Sequence, residues 1–193
     1  FAISETQKFG HVTFFWNGNR SGYINESLET YVEIPSDNVP FDQAPAMKAA
    51  EITDATFELL RNGQFDWGRI NYANGDLVRH TGDLDATIES MEMLDDALAR
   101  LVGVVVDELD AMVIFTADHG NADIMYTEKN GIRSPKTSHT LSAVPFVVHC
   151  QNPERYQLVA DGTTGLANIA ATVISVLGFE PPTDYQPSLV ISR

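Results

Sequence analysis

At 193 residues the chain is long enough for one full-sized α/β domain with a real core, and too short for two comfortable ones. Its 27 acidic against 12 basic side chains give a formal charge of -15, which argues against a nucleic-acid partner, because that affinity rests on Lys and Arg neutralising phosphates. A single cysteine, Cys150, excludes an internal disulfide and a thiolate zinc site and fits the cytosol, and no run approaches the roughly 20 apolar residues of a membrane span.

Residue 1 is Phe, and the start reads as a cut inside a longer chain, with Phe1 to Phe9 the end of a helix that feeds a strand. Short apolar, β-branched and aromatic runs bounded by Gly, Asn, Asp or Pro suit strands covered on both faces. The first is His11 to Trp16, followed by a polar, turn-rich excursion or hairpin from Gly18 to Asn38. A helix is expected over Ala44 to Asn62, then a strand over Arg69 to Ala73. The clearest periodicity runs from Leu84 to Leu109, where Ile88, Met91, Leu94, Leu98, Leu101, Val102 and Val105 recur every three to four residues. Asp83 or Asp85 would start that helix, and Met91 would face the core. Strands over Met112 to Ala117 and Pro145 to Cys150 follow, and a last helix over Leu166 to Leu177 stops at Gly178 before Pro181-Pro182. Alternation of this kind implies an α/β fold with a mostly parallel sheet between helical layers, forming one domain over residues 1–193. His11 and His149 read as structural residues of strand ends, and Cys150 as a buried thiol.

Three clusters of metal-type donors stand beside these strands. Asp76 and His80, spaced by four, would share one helical face. Asp118 and His119 sit where the apolar run Met112 to Ala117 stops, and Gly120 allows the turn that would let both serve the same place. His139 precedes the next apolar run. Each alone has an ordinary explanation: a capping Asp, a His stacked on a sheet edge, a surface-loop His. Together they suggest donors at three successive strand ends of one parallel sheet, beyond the carboxyl ends where open α/β sheets place their sites. Carboxylates and imidazoles without thiolates suit Mn²⁺, Zn²⁺ or Mg²⁺. Two such ions would polarise a phosphoryl group and activate a nucleophile, and a small anionic substrate would then tolerate the acidic chain.

The motifs themselves are E-T-Q-K-F-G-H-V-T-F-F (Glu5 to Phe15), N-Y-A-N-G-D-L-V-R-H-T-G (Asn71 to Gly82), T-A-D-H-G-N-A-D (Thr116 to Asp123), S-H-T-L-S-A-V-P-F (Ser138 to Phe146) and L-A-N-I-A-A-T-V-I-S-V-L-G-F (Leu166 to Phe179). In this order they resemble the C-terminal part of the cofactor-independent phosphoglycerate mutase family, within the alkaline phosphatase superfamily. The resemblance implies an alkaline-phosphatase-like domain, here without its N-terminal segment and inserted transferase domain. It implies interconversion of 2-phosphoglycerate and 3-phosphoglycerate through a phosphoserine intermediate in the cytoplasm, without 2,3-bisphosphoglycerate and without nucleic-acid or membrane partners. The implied cofactors are two divalent ions, manganese first, with magnesium or cobalt as alternatives. Asp76, His80 and His139 would hold one ion, and Asp118 and His119 part of the other, with Lys8 beside the phosphoserine as a catalytic group. Arg79 departs from the Gly usual in the family's D-x-V-G-H. On this reading the chain alone is expected to be inactive and to self-associate through its incomplete sheet. Another phosphatase-like enzyme, or a non-catalytic metal-binding module, would share part of the donor set; the former would lack H-V-T-F-F and N-x-A-N-G-D as a set.

Overall fold

The computed structural model describes residues 1–63, 65–159 and 164–193. The chain begins with a strand, β1 (Ala2–Glu5), every residue of which is buried. It leads into helix α1 (Thr6–Val12) and, after a run of turns, into β2 (Tyr31–Ile34). Helix α2 (Ala49–Arg61) then precedes β3 (Arg69–Asn71) and the single-turn α3 (Asn74–Leu77). The long helix α4 (Leu84–Val102) continues as a π-helical segment, Gly103–Glu108, before β4 (Val113–Thr116). A hairpin of β5 (Tyr126–Lys129) and β6 (Ile132–Pro135), then β7 (Phe146–His149), β8 (Tyr156–Leu158), α5 (Ile169–Val176) and β9 (Val190–Ser192), complete the chain.

β1 is the centre of a parallel sheet of order β2-β1-β3, with Ala2 opposite both Tyr31 and Arg69. A strand hydrogen-bonded on both edges and covered on both faces reads as a continuous apolar run, and Phe1-Ala2-Ile3 is that run. The expectation of a helix over Phe1 to Phe9 and a strand over His11 to Trp16 is therefore corrected: the order is reversed. Thr13 donates its hydroxyl to the Phe9 carbonyl at the end of α1, and Phe14, Phe15 and Trp16 are largely exposed. Their rings pack on one another and on Trp67 instead of lining a pleat. His11 accordingly lies on a helix. The excursion at 18–38 carries β2, so it contributes a sheet strand as well as turns.

Ile3 and Ile52 form one core cluster with Phe1, and Phe57, Leu101, Val104, Val105, Val106 and Val113 form another; Leu60 and Ile70 touch both. Fully burying such side chains stabilises the fold by about 1.5–3 kcal/mol each. α2 starts five residues later than the periodicity suggests, because Pro45 and a left-handed Met47 (φ 46°) interrupt the preceding segment. Asp83 caps α4 by accepting from the Ala86 amide at 2.9 Å. The buried face of α4 is Ala86, Thr87, Ser90, Ala97 and Leu101, so Ile88 and Met91 lie on an exposed face, contrary to expectation. Small residues at the helix crossing, rather than the largest apolar ones, let α4 approach its neighbours.

The strand after Met112 does not extend the parallel sheet. β4 pairs antiparallel with β7, Thr116 opposite Phe146 and Val113 opposite His149. Separate antiparallel pairs β5-β6 and β8-β9 follow. The last helix forms as a 3₁₀ turn, Leu166–Asn168, followed by α5, and Gly178 (φ 87°) closes it as expected. Cys150 is only half-buried. Among the described residues no helix is long and apolar enough to cross a membrane.

Candidate metal centre

Four chain segments converge on the Asp76 carboxylate. Asp76 sits on α3, in the turn that follows β3, and the next turn, Arg79–Thr81, places His80 one turn further on the same face. His80 Nε2 lies 2.9 Å and His139 Nε2 3.1 Å from Asp76 Oδ1, and the two nitrogens are 3.0 Å apart. His119 Nε2 is 3.9 Å from Asp76 Oδ1 and 3.5 Å from Asp118 Oδ1, and its ring stacks on that of His139 with centroids 3.6 Å apart. Lys8, buried on α1, reaches Asp76 Oδ2 at 2.5 Å. The sequence-based set is therefore gathered at one place, and Lys8 is no solvated surface lysine.

The route to that place differs from the expected one. Lys8 and Asp76 follow the carboxyl ends of β1 and β3, strands of one parallel sheet, and Asp118 and His119 follow β4. His139 instead precedes β7. Because β7 runs antiparallel to β4, its amino end lies beside the carboxyl end of β4. A common rim thus arises from two sheets, and "three successive strand ends of one sheet" is corrected to that arrangement.

The donors are oriented by groups that do not belong to the set. His80 Nδ1 lies 2.6 Å from the Thr137 carbonyl. A carbonyl only accepts, so Nδ1 carries a proton and Nε2 is the ring atom turned toward Asp76 and His139, the usual outer-shell arrangement of a metal-binding histidine. Asn121 donates from Nδ2 to Asp76 Oδ1 at 2.6 Å and to the Asp76 carbonyl at 3.2 Å. Gly120 bridges to Thr140, whose hydroxyl donates to both oxygens of Asp123. A side chain on Gly120 would meet Thr140 Oγ1 at 2.1 Å, which explains glycine there. Arg79, fully buried, donates to the carbonyls of Ser138 and Ile124, so it does not project outward. Sequence reasoning missed Asn121, Asp123 and Thr140; the only available signal was their adjacency to the donor clusters.

Burial alone would push the Asp76 carboxyl up, but the hydrogen bond and charge of the Lys8 ammonium, with the fields of His80 and His119, hold it below its usual range. Burial, followed by the Lys8 charge, lowers His11. Asp76 is thus an anion near neutral pH, with the Nε2 atoms of His80 and His139 at about hydrogen-bond distance from it. Asp76, His80 and His139 each offer one atom within 4.8 Å of the others, and a mixed oxygen and imidazole set fits a divalent transition metal.

Comparison with known proteins agrees with this donor chemistry. The profile of the Metalloenzyme superfamily matches residues 1–181. A 2,3-bisphosphoglycerate-independent phosphoglycerate mutase of Trypanosoma brucei brucei is 51% identical over 201 residues, covering 98% of this chain and 36% of the relative. The corresponding protein of Nicotiana tabacum is 45% identical over 208 residues with the same shares. A structure of Leishmania mexicana phosphoglycerate mutase at low cobalt concentration superposes with a TM-score of 0.94 at 49% identity, covering all of this chain and 37% of that one. The fold is therefore alkaline-phosphatase-like α/β, and the chain spans little more than a third of the length of the relatives it matches.

Proposed function

We propose, since this chain belongs to the metalloenzyme superfamily, that it forms the metal-binding part of a cofactor-independent phosphoglycerate mutase, an isomerase interconverting 2-phosphoglycerate and 3-phosphoglycerate through a phosphoserine. The observation that carries the reading is the triangle of Asp76 Oδ1, His80 Nε2 and His139 Nε2, with edges of 2.9, 3.1 and 3.0 Å. A set of one carboxylate and two imidazoles without thiolates suits manganese, magnesium or cobalt, and we place manganese first.

Divalent cations held here would supply Lewis-acid polarisation of a phosphoryl oxygen and a lowered pKa for a bound nucleophile. Asp76, His80 and His139 hold the first ion. Asp118 and His119 supply part of a second site, the remaining ligands coming from outside this chain, as would the serine that carries the phosphoryl group. Lys8, already beside Asp76, neutralises charge on the transferring phosphoryl group as that group moves. The chain acts as one domain, 1–193, of a cytoplasmic glycolytic enzyme, is inactive alone, and self-associates through the unpaired sheet edges.

The test is a chimera in which this chain replaces the matching segment of the Trypanosoma brucei brucei relative. Manganese-dependent isomerisation of 3-phosphoglycerate that disappears with Asp76→Asn is the expected result. A folded, manganese-loaded chimera without isomerase activity would refute the proposal.

A further inference from the structure

Among the described residues Arg79 is the largest side chain with no solvent exposure, and nothing in the donor set accounts for it. A guanidinium is among the groups least often fully buried, because taking it from water is costly unless its hydrogen bonds are replaced. Here its Nη1 donates to the Ser138 carbonyl at 3.0 Å and its Nη2 to the Ile124 carbonyl at 2.5 Å, across 59 and 45 residues of sequence. Nε has no partner among the described residues. Ser138 is the residue before His139. Ile124 closes the segment that begins with His119 and contains Asn121, the donor to Asp76. Arg79 itself lies between Asp76 and His80.

We propose that Arg79 is a positioning residue of the metal centre: its buried fork ties the His139 loop and the His119–Ile124 segment to the turn bearing Asp76 and His80, fixing the separation of the donor atoms and hence cation affinity. The inference rests on the proposed reading of Asp76, His80 and His139 as cation ligands. Planarity is what makes arginine suited to this place, since two parallel N–H groups reach two carbonyls on different segments at once. Lys136 holds the same loop from outside, donating to the carbonyls of Ser138 and His139 at 2.8 Å. Being only part-buried and within three residues of both acceptors, it cannot register the loop against α3. The His80 bond to the Thr137 carbonyl adds a second cross-link, but it involves a ligand ring and therefore follows, rather than sets, the position of the loop.

The test is Co²⁺ titration of the full chain by calorimetry and visible absorption, for the unaltered sequence, Arg79→Met, Arg79→Lys and Ile52→Val. Ile52 belongs to the α2–β1 core cluster, which contains no donor residue, so Ile52→Val reports general destabilisation without touching the clamp. Arg79→Met is expected to weaken Co²⁺ binding by about 10–100-fold, the range for loss of an outer-shell partner, and to alter the ligand-field bands, with Arg79→Lys recovering part of both. Ile52→Val is expected to lower the melting temperature while leaving affinity and spectrum unchanged. Should Arg79→Met fail to fold, Arg79→Lys decides alone. A folded Arg79 variant that keeps the spectrum and loses less than about threefold in affinity overturns the proposal, as does an equal loss in Ile52→Val. If the unaltered chain does not bind Co²⁺, the ligand reading itself fails and the inference with it.

Discussion

Between Asp76 and His80 the donors ride on a helical turn whose inner residues, Val78 and Arg79, are fully buried. His139, by contrast, rides on a loop that is nearly half exposed at the histidine and wholly exposed at Leu141. The first segment is fixed by the core under it. The second is held by cross-links that include the Arg79 and Lys136 donations, the Gly120–Thr140 bridge and the Thr140 bonds to Asp123. Half of the centre is therefore preformed by packing and half by hydrogen bonds to backbone, and changes in the two halves should fail in different ways.

The largest effect is expected at the preformed half. Asp76→Asn keeps the shape but removes the charge that faces Lys8, His80 and His139, and it should weaken Mn²⁺ binding by more than about 100-fold, beyond the usual cost of an outer-shell change. Calorimetry at neutral pH reads this; retained micromolar affinity would remove Asp76 from the set. On the loop side, Gly120→Ala drives a methyl into Thr140 Oγ1 and toward Asp123 Oδ1. The clash should cost about 1–3 kcal/mol of stability in chemical denaturation, the range for overpacking, and the double change with Thr140→Ala should restore most of it. No recovery would mean that the Gly120 turn itself, not the contact, sets the cost.

Away from the centre, Asp83→Ala removes the cap of α4 and should cost about 1 kcal/mol, with little effect on Mn²⁺ affinity because the helix carries no donor. Loss of metal affinity there would blur the proposed division. The smallest effect is read by pH and separates Asp76 from the sheet residue Glu5. Burial raises the Glu5 carboxyl from 4.5, with its Ser36 hydrogen bond opposing. Folded Glu5 therefore holds its proton to higher pH than the unfolded chain does, and its ionisation lowers stability as pH rises from about 4.5 through the raised value. The Asp76 carboxyl is depressed from 3.8, so its stabilisation is present above that pH and is lost as pH falls below it toward the folded value. Glu5→Gln should flatten the upper slope and leave the lower one; stability curves against pH, without metal, read both.

The donor set could be read from sequence because each member is a polar residue stranded at the end of an apolar run, and strand ends are where such residues collect whatever the pairing of the strands. The pairing itself could not. Met112 to Ala117 has the same composition in a parallel or an antiparallel neighbour, and the apolar run cannot report that β7 comes back alongside it. The reversal at the amino end has a similar cause: Phe1 to Glu5 is too short for period to separate strand from helix, while H-V-T-F-F carries strand-type residues of which Val12 and Thr13 are buried at a helix end and Phe14 and Phe15 stack at the surface. The β5–β6 hairpin does have a signal in Asn130-Gly131, both left-handed (φ 54° and 75°) as a two-residue hairpin turn requires. Arg79 stands out only as a departure from the family's usual Gly; its burial gives no signal, since nothing local distinguishes a buried guanidinium from a solvated one.

Anomalous diffraction at the manganese edge, from crystals of the chain grown with Mn²⁺, addresses the central claim most directly. The account predicts a peak bonded at about 2.1–2.2 Å to Asp76, His80 and His139. A peak that excludes His139, or ordered density for these side chains at saturating Mn²⁺ with no peak among them, would contradict it.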